Sequence, residues 1–122
     1  MSLRVIIADE HVAFRDFLKS FLARMPDFQV TGEAADGIEA VELVARLKPD
    51  LILMDIEMPR MNGLEAARRI KTSNKGTRVV LLSALADEAH HQAARRSGAD
   101  AFLPKTAWMG EALKKFVTGN RN

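Results

Sequence analysis

The chain has no cysteine, no tyrosine and a single tryptophan. Without cysteine there are no disulfides and no thiolate metal sites, and a reducing compartment, the cytoplasm, is the expected location. The near absence of large polar aromatics leaves no interleaving of aromatic and basic side chains of the kind that stacks bases. An excess of one charge is missing too: 18 Lys and Arg stand against 16 Asp and Glu, a net +2. The basic residues come in scattered pairs, Arg68-Arg69, Arg95-Arg96 and Lys114-Lys115, each in a helix-like stretch with acids nearby. That is the pattern of solvated helix faces. Long hydrophobic runs are also lacking. The first apolar run follows Arg4 and is only Val5-Ile6-Ile7-Ala8, too short for a signal-peptide core or a membrane span. Neither direct nucleic-acid contact nor membrane insertion is expected. What is present is 122 residues, 48% of them hydrophobic: one domain of ordinary size, residues 1–122, able to build its own core.

Short apolar runs alternate with helical patterns. Val5 to Ala8 is followed by Phe14, Phe17, Leu18, Phe21, Leu22 and Met25 at helical spacing, closed by Pro26-Asp27. Phe28 to Glu33 reads as a short strand. Asp36 with Glu39 marks a helix start of capping-box type, and Ile38, Val41, Leu43, Val44 and Leu47 give that helix an apolar face up to Pro49. The run from Leu51 to Met54 is continuous rather than alternating, as in a strand covered on both faces. Asn62 with Glu65 opens a helix to about Ser73, and Gly76 stands where a helix C-cap belongs. A strand from Val79 to Leu82, a helix capped by Asp87 and ending before Gly98, a strand over about Asp100 to Leu103, and a helix capped by Thr106 complete the chain.

Five strand-then-helix repeats predict an α/β fold, a doubly wound five-stranded parallel sheet with five helices on its two faces. The Phe28–Glu33 strand is the most polar and belongs at an edge, which favours the order 2-1-3-4-5 of the flavodoxin-like architecture. Ligands bind such sheets at the carboxyl ends of the strands, where the winding reverses, here between the first and third strands.

Four of the apolar runs end in chemistry. Val5 to Ala8 meets Asp9-Glu10, Leu51 to Met54 meets Asp55, Val79 to Leu82 meets Ser83, and Ala101 to Pro104 meets Lys105. Any one of these alone is an ordinary strand-end or capping residue. Together, on one sheet edge, they are three carboxylates, a hydroxyl and an ammonium. At 4 Å even a well-screened carboxylate pair repels by roughly 1–4 kcal/mol, so the acids call for a counter-charge. An all-oxygen set with few carboxylates suits Mg²⁺, and neither histidine nor cysteine ends those strands to favour zinc. Ser83 and Lys105 are left over by a metal and suit a phosphoryl group, neutralised by metal on one side and lysine on the other. Asp55, on the central strand, is the best candidate to carry that group as an aspartyl phosphate.

The stretches Ile7-Ala8-Asp9-Glu10-His11, Leu53-Met54-Asp55-Ile56-Glu57-Met58-Pro59-Arg60-Met61-Asn62-Gly63, Leu82-Ser83-Ala84 and Phe102-Leu103-Pro104-Lys105 resemble the receiver domain of two-component response regulators, over essentially the whole chain. The segment from Asp27 through Gly37 is most similar to receivers that precede a LuxR-type helix-turn-helix output domain. The resemblance implies a phosphorylation-controlled switch, not an enzyme acting on other substrates. In it Asp55 accepts phosphate from a sensor histidine kinase or phosphotransfer protein. Glu10, Asp55 and the backbone carbonyl of Glu57 bind Mg²⁺, with Asp9 assisting through water. Lys105 contacts the phosphoryl group, Ser83 moves to hydrogen-bond it, and Phe102 is the aromatic switch that follows. The helix after Asp87, the Asp100–Leu103 strand and the last helix would form the output surface. A homodimer on activation and control of an output domain or a partner, in transcription regulation, complete the expectation; an output domain, if the gene has one, would lie beyond Asn122. Departures from the commonest pattern are Glu10 for aspartate and Thr106 for proline after Lys105, whose peptide geometry the sequence leaves open. Glu57 and Leu85 occupy positions that tune phosphoryl lifetime in this family.

Three rivals share parts of this set. An aspartyl-phosphate hydrolase resembling the haloacid dehalogenases would place its nucleophile after the first strand in an Asp-x-Asp motif and would need a cap domain. A flavin-binding module would need a phosphate cradle after the first strand, where Asp9-Glu10 repels one. An unphosphorylated receiver-like scaffold would not need a complete acceptor set. His90 and His91, adjacent on a helix, diverge by about 100° and make poor co-ligands; solvent exposure is expected. Trp108 and Met109 read as packing at the start of the last helix, with partner contact as the alternative.

Overall fold

The computed structural model describes residues 2–85, 87–106 and 109–119, of which 109 and 117–119 are described by backbone alone. Five strands and five helices alternate: β1 (Leu3–Ala8), α1 (Val12–Ala23), β2 (Phe28–Ala34), α2 (Gly37–Leu47), β3 (Leu51–Asp55), α3 (Gly63–Ser73), β4 (Arg78–Ser83), α4 (Glu88–Arg96), β5 (Ala101–Pro104) and α5 (Met109–Gly119). All pairings are parallel. The sheet order is β2-β1-β3-β4-β5, as the polarity of the second strand predicted.

Two cores flank the sheet, sorted by the two-residue period of the strands. Val5, Ile7, Leu51, Leu53, Val80 and Leu82 face α1 and α5, where Leu18, Leu22 and Leu113 meet them. Ile6, Ala8, Ile52, Met54, Val79 and Leu81 face α2, α3 and α4. Every residue of β3 is buried, which explains why its sequence does not alternate. The helices start where their caps predicted: the side chains of Asp36, Asn62 and Asp87 accept from the amides of Glu39, Glu65 and His90. The Glu39 carboxylate reaches one residue beyond a standard capping box, to the Ala35 amide at 2.6 Å.

Several boundaries differ from expectation. The C-cap of α3 is Asn74, whose amide bonds the Ile70 carbonyl, not Gly76, which lies in the turn beyond. β5 starts and ends one residue later than expected, at Ala101 and Pro104. α1 stops at Ala23, because Arg24 and Met25 close it with shorter-range turns before Pro26. α5 is described from Met109, so capping by Thr106 and packing of Trp108 lie outside the described residues. The Lys105–Thr106 peptide is trans.

The loop after β3 is folded back tightly. The Gly63 amide donates to the Ile56 carbonyl at 2.7 Å, and a Cβ on Gly63 would sit 2.2 Å from the Asp55 carbonyl oxygen. The obstacle is backbone, which cannot step aside as a flexible side chain can. Gly63→Ala is expected to lower stability by about 2–3 kcal/mol in chemical denaturation. Gly76→Ala, with nothing within 4 Å of the new carbon, is expected to be neutral. Equal effects of the two would contradict this reading of the loop.

Candidate functional site

The same parity that sorts the cores sorts the chemistry. Asp55 continues the Leu51–Leu53 side of β3, Asp9 extends the Val5–Ile7 side of β1, and Lys105 extends the Ala101–Leu103 side of β5. All three therefore gather at the α1 side of the carboxyl edge. Ser83 and Phe102 follow the Val79–Leu81 face instead, toward α3 and α4. Register brings them level: Asp55 pairs with Leu82 and Ser83 with Pro104.

Asp9 and Asp55 are 1% and 3% exposed, a burial that carboxylates do not sustain without partners. Lys105 is that partner. Its Nζ lies 2.5 Å from Asp9 Oδ2 and 3.3 Å from Asp55 Oδ1. The ring of Phe14 on α1 backs the ammonium, 4.2 Å from its centroid, where the face of the ring favours a cation. The other carboxylate oxygen of Asp9 accepts from the His11 amide at 2.8 Å and lies 3.2 Å from His11 Nδ1. One ammonium does not balance two buried acids. Burial pushes the Asp55 carboxyl up to about 6; Lys105 pulls it down, and the charges of Asp9 and Glu57 push it up again.

Glu10 and Glu57 are exposed on the rim of the groove that Ile56, Met58, Asn62, Leu64 and His90 line. Among the described residues no three acidic or imidazole side chains converge into a finished metal cage. The expected cluster is thus a buried Asp9–Asp55 pair with Glu10 beside it rather than three acids in contact. The donor set nevertheless fits a hard divalent cation. Its atoms are all oxygen, and Lys105 shows that a cation is already held between the two aspartates.

Ser83 is fully buried; its hydroxyl accepts from the Leu85 amide at 3.0 Å and donates to Glu57 Oε1 at a long 3.5 Å. It is turned to the loop rather than to Asp55. Glu57 Oε2 lies 3.9 Å from His90 Nε2, and His90 Nδ1 lies 2.6 Å from Asp87 Oδ1. His90 is 26% exposed, so the expectation of a solvated side chain fails for it. The ring lies in the groove, with Nε2 turned to the Glu57 carboxylate. His91 is exposed, yet its ring meets that of Phe102 edge-on at 4.6 Å. Phe102 is partly buried on the α4 side of β5.

Sequence reasoning missed the second role of Phe14, which it read as helix core, and gave no role to Arg15, whose Nη1 donates to the Asp9 carbonyl at 2.5 Å. The only linear hint was a pair of basic residues one turn apart, Arg15 and Lys19, in the helix after the acids.

Comparisons with known proteins agree with this geometry. The family model described as response regulator receiver domain matches residues 5–117. The uncharacterized transcriptional regulatory protein YhcZ of Bacillus subtilis is 36% identical over 112 residues, 92% of this chain and 52% of YhcZ. A protein-glutamate methylesterase/protein-glutamine glutaminase of Myxococcus xanthus is 48% identical over 105 residues, 84% of this chain and 30% of that protein. Among solved structures, the signal receiver domain of the putative response regulator NarL from Mycobacterium tuberculosis superposes with a TM-score of 0.91 at 33% identity, covering 99% of this chain and 98% of that one. The chain thus spans about half the length of YhcZ and under a third of the methylesterase.

The raised Asp55 carboxyl has a consequence for stability in the metal-free protein. Its folded-state value, about 6, lies above the ordinary 3.8, so the folded chain holds the proton more tightly than the unfolded one. The cost of the buried charge is absent below pH ~4, grows as pH rises through the window, and is complete above pH ~6, at about 2–3 kcal/mol. With a chelator present, Asp55→Asn is expected to be more stable than the parent at pH 8 by about that amount, and the gain is expected to vanish near pH 4. Thermal melts across that range check it; a destabilised variant at pH 8 would contradict the charge imbalance.

Proposed function

The chain belongs to the response regulator receiver domain family, and from that premise we propose that Asp55 is its phosphoacceptor, with phosphorylation driving a conformational switch. The observation that carries the assignment is the pairing of two buried aspartates with one lysine at the carboxyl edge of the central strands. Asp55 ends the central strand, and its carboxylate is the one that Lys105 holds less closely, at 3.3 Å against 2.5 Å for Asp9.

In the proposed reaction a carboxylate oxygen of Asp55 attacks the phosphorus of a phosphohistidine on a sensor kinase or phosphotransfer protein. The new O–P bond forms as the P–N bond breaks, and the imidazole leaves with the electron pair. Asp55, Glu10 and the Glu57 backbone carbonyl would hold Mg²⁺, with Asp9 assisting through water. The ion supplies charge neutralisation for the incoming phosphoryl oxygens. Lys105 sits close enough to swing from Asp9 to a phosphoryl oxygen on Asp55. The one bond that the Ser83 hydroxyl donates is the long one to Glu57, and moving toward the same group would exchange it, together with the contact accepted from the Leu85 amide. Movement of Ser83 would release space beside β4 for Phe102, whose ring now lies against His91. α4 suits a moving element: of its nine residues only Ala94 is buried, so little apolar contact resists a shift. The energetics are those of selection between two conformations, the phosphoryl contacts favouring one.

The chain itself would catalyse only its own phosphorylation and dephosphorylation. An output domain beyond Asn122, of the helix-turn-helix type that the Asp27–Gly37 segment suggests, would carry transcription control without DNA contact by this domain. The α4, β5 and α5 face would be the output surface, and a homodimer on activation belongs to the same proposal. No described helix is long and apolar enough to cross a membrane, and a cytoplasmic location follows from the proposed kinase partner.

Incubation with acetyl phosphate and Mg²⁺ is expected to add one phosphoryl group by intact mass, and the addition is expected to disappear in Asp55→Asn and with a chelator. Labelling that persists in Asp55→Asn would remove the assignment. Lys105→Ala is expected to fold and to accept phosphate more slowly, while losing the change in partner affinity that phosphorylation causes in the parent. A full affinity response in that variant would show that Lys105 does not transmit the signal.

A further inference from the structure

Arg15 has no part in the reaction above, yet one of its contacts runs to the backbone of Asp9, at the edge that would face Mg²⁺. It lies in the first turns of α1 and is 14% exposed, with its guanidinium divided between two acceptors. Nε donates to Glu33 Oε1 at 2.9 Å, and Nη1 donates to the Asp9 backbone carbonyl at 2.5 Å. Glu33 is held from its other side by Lys19 Nζ at 2.7 Å. The Lys19 contact draws the Glu33 carboxyl below its usual range; burial opposes this and Arg15 adds to it.

Glu33 reaches α1 because of an irregularity in the sheet. The register of β1 on β2 slips between Val5 and Ile6, so that Val5 pairs with Val30 but Ile6 with Gly32 and Ile7 with Glu33. The extra residue, Thr31, reverses the alternation of β2. Phe28 and Val30 face α1 before the bulge, and Glu33 faces α1 after it, opposite Ile7. In a regular strand Glu33 would point toward α2.

Asp9 is fixed at its amide by the Ala34 carbonyl at 2.9 Å, at its carboxylate by Lys105 and the His11 amide, and at its carbonyl by Arg15. That carbonyl shares a rigid plane with the Glu10 amide. Holding it sets the direction in which the exposed Glu10 side chain leaves the backbone. We propose that Arg15 is a positioning residue for the metal site: braced on Glu33, it locks the Asp9–Glu10 peptide plane and so aims Glu10 and Asp9 at Mg²⁺. The proposal rests on the reading of this edge as a Mg²⁺ site. The charge of Arg15 alone would oppose a cation, so any gain in affinity from this residue is geometric. Lysine does not match it, because Arg15 meets its two acceptors from two different nitrogens of one rigid plane, and an ammonium offers a single nitrogen.

The test is calorimetric titration of the full chain with MgCl₂, with folding checked by melting. Arg15→Lys keeps the charge and is expected to weaken Mg²⁺ binding about tenfold, in the range that outer contacts of metal sites command. Lys19→Met breaks the same network on the far side of Glu33 and is expected to stay within about twofold of the parent. In acetyl phosphate labelling, Arg15→Lys is expected to need proportionately more Mg²⁺ but to reach the parent's rate at saturation, a split that a merely structural ion pair would not produce. If Arg15→Lys does not fold, Glu33→Met, which removes the acceptor that braces the guanidinium and keeps the arginine, takes its place with the same expected loss. Unchanged Mg²⁺ affinity in Arg15→Lys, an equal loss in Lys19→Met, or a plateau rate that stays low overturns the proposal. A parent chain that takes up no Mg²⁺ would instead remove the reading on which it rests.

Discussion

The Lys105 ammonium between Asp9 and Asp55 is the contact on which the carboxyl edge of this sheet depends. Two carboxylates almost without solvent exposure face one cation, at 2.5 and 3.3 Å. Burial taxes both charges, and a single lysine offsets only part of that tax, which is why Asp55 holds its proton to about pH 6. A site one positive charge short is unsuited to rest and suited to binding: a divalent cation completes it, and a phosphoryl group on Asp55 then has cationic partners on two sides. The hydrophobic layers above and below serve this arrangement by holding the strands in register.

Much of this was legible because strand periodicity is simple. A parallel strand buried on both faces shows as an unbroken apolar run, so Leu51 to Met54 announced a central strand and Asp55 its end. The polarity of Phe28 to Glu33 placed that strand at the edge. Asp36, Asn62 and Asp87 announced helix starts because a side-chain oxygen two or three residues ahead of free amides is a local device, complete within four residues. Asp9, Asp55 and Lys105 converge because each is the polar residue that ends an apolar run on the α1 side of strands in register, whereas Ser83 ends β4 on the other face.

What the sequence hid depends on contacts between elements. The bulge at Thr31 leaves no local mark, yet it decides that Glu33 faces α1 and gives Arg15 its brace. The Phe14 ring under Lys105 is a tertiary meeting of α1 with the end of β5, invisible in a helical pattern that reads the ring as core. His90 looked like a solvated residue because its ties to Asp87 and Glu57 run through a helix cap and a loop from another part of the chain. Glu10 is the opposite case: it follows a strand end, as expected of a ligand, but projects to the rim, so the three acids form a pair with an outlier and not a closed cage.

The central claim is that Asp9, Asp55 and Lys105 form a cation-dependent pocket for a phosphoryl group on Asp55. Fluorine NMR with beryllofluoride, which copies a phosphoryl group on a carboxylate, tests it most directly. Bound fluorine resonances are expected when both Mg²⁺ and beryllofluoride are present, and are expected to be absent when Mg²⁺ is withheld or Asp55 is replaced by asparagine. Bound resonances that survive either omission, or none at all in the complete mixture, would contradict the account.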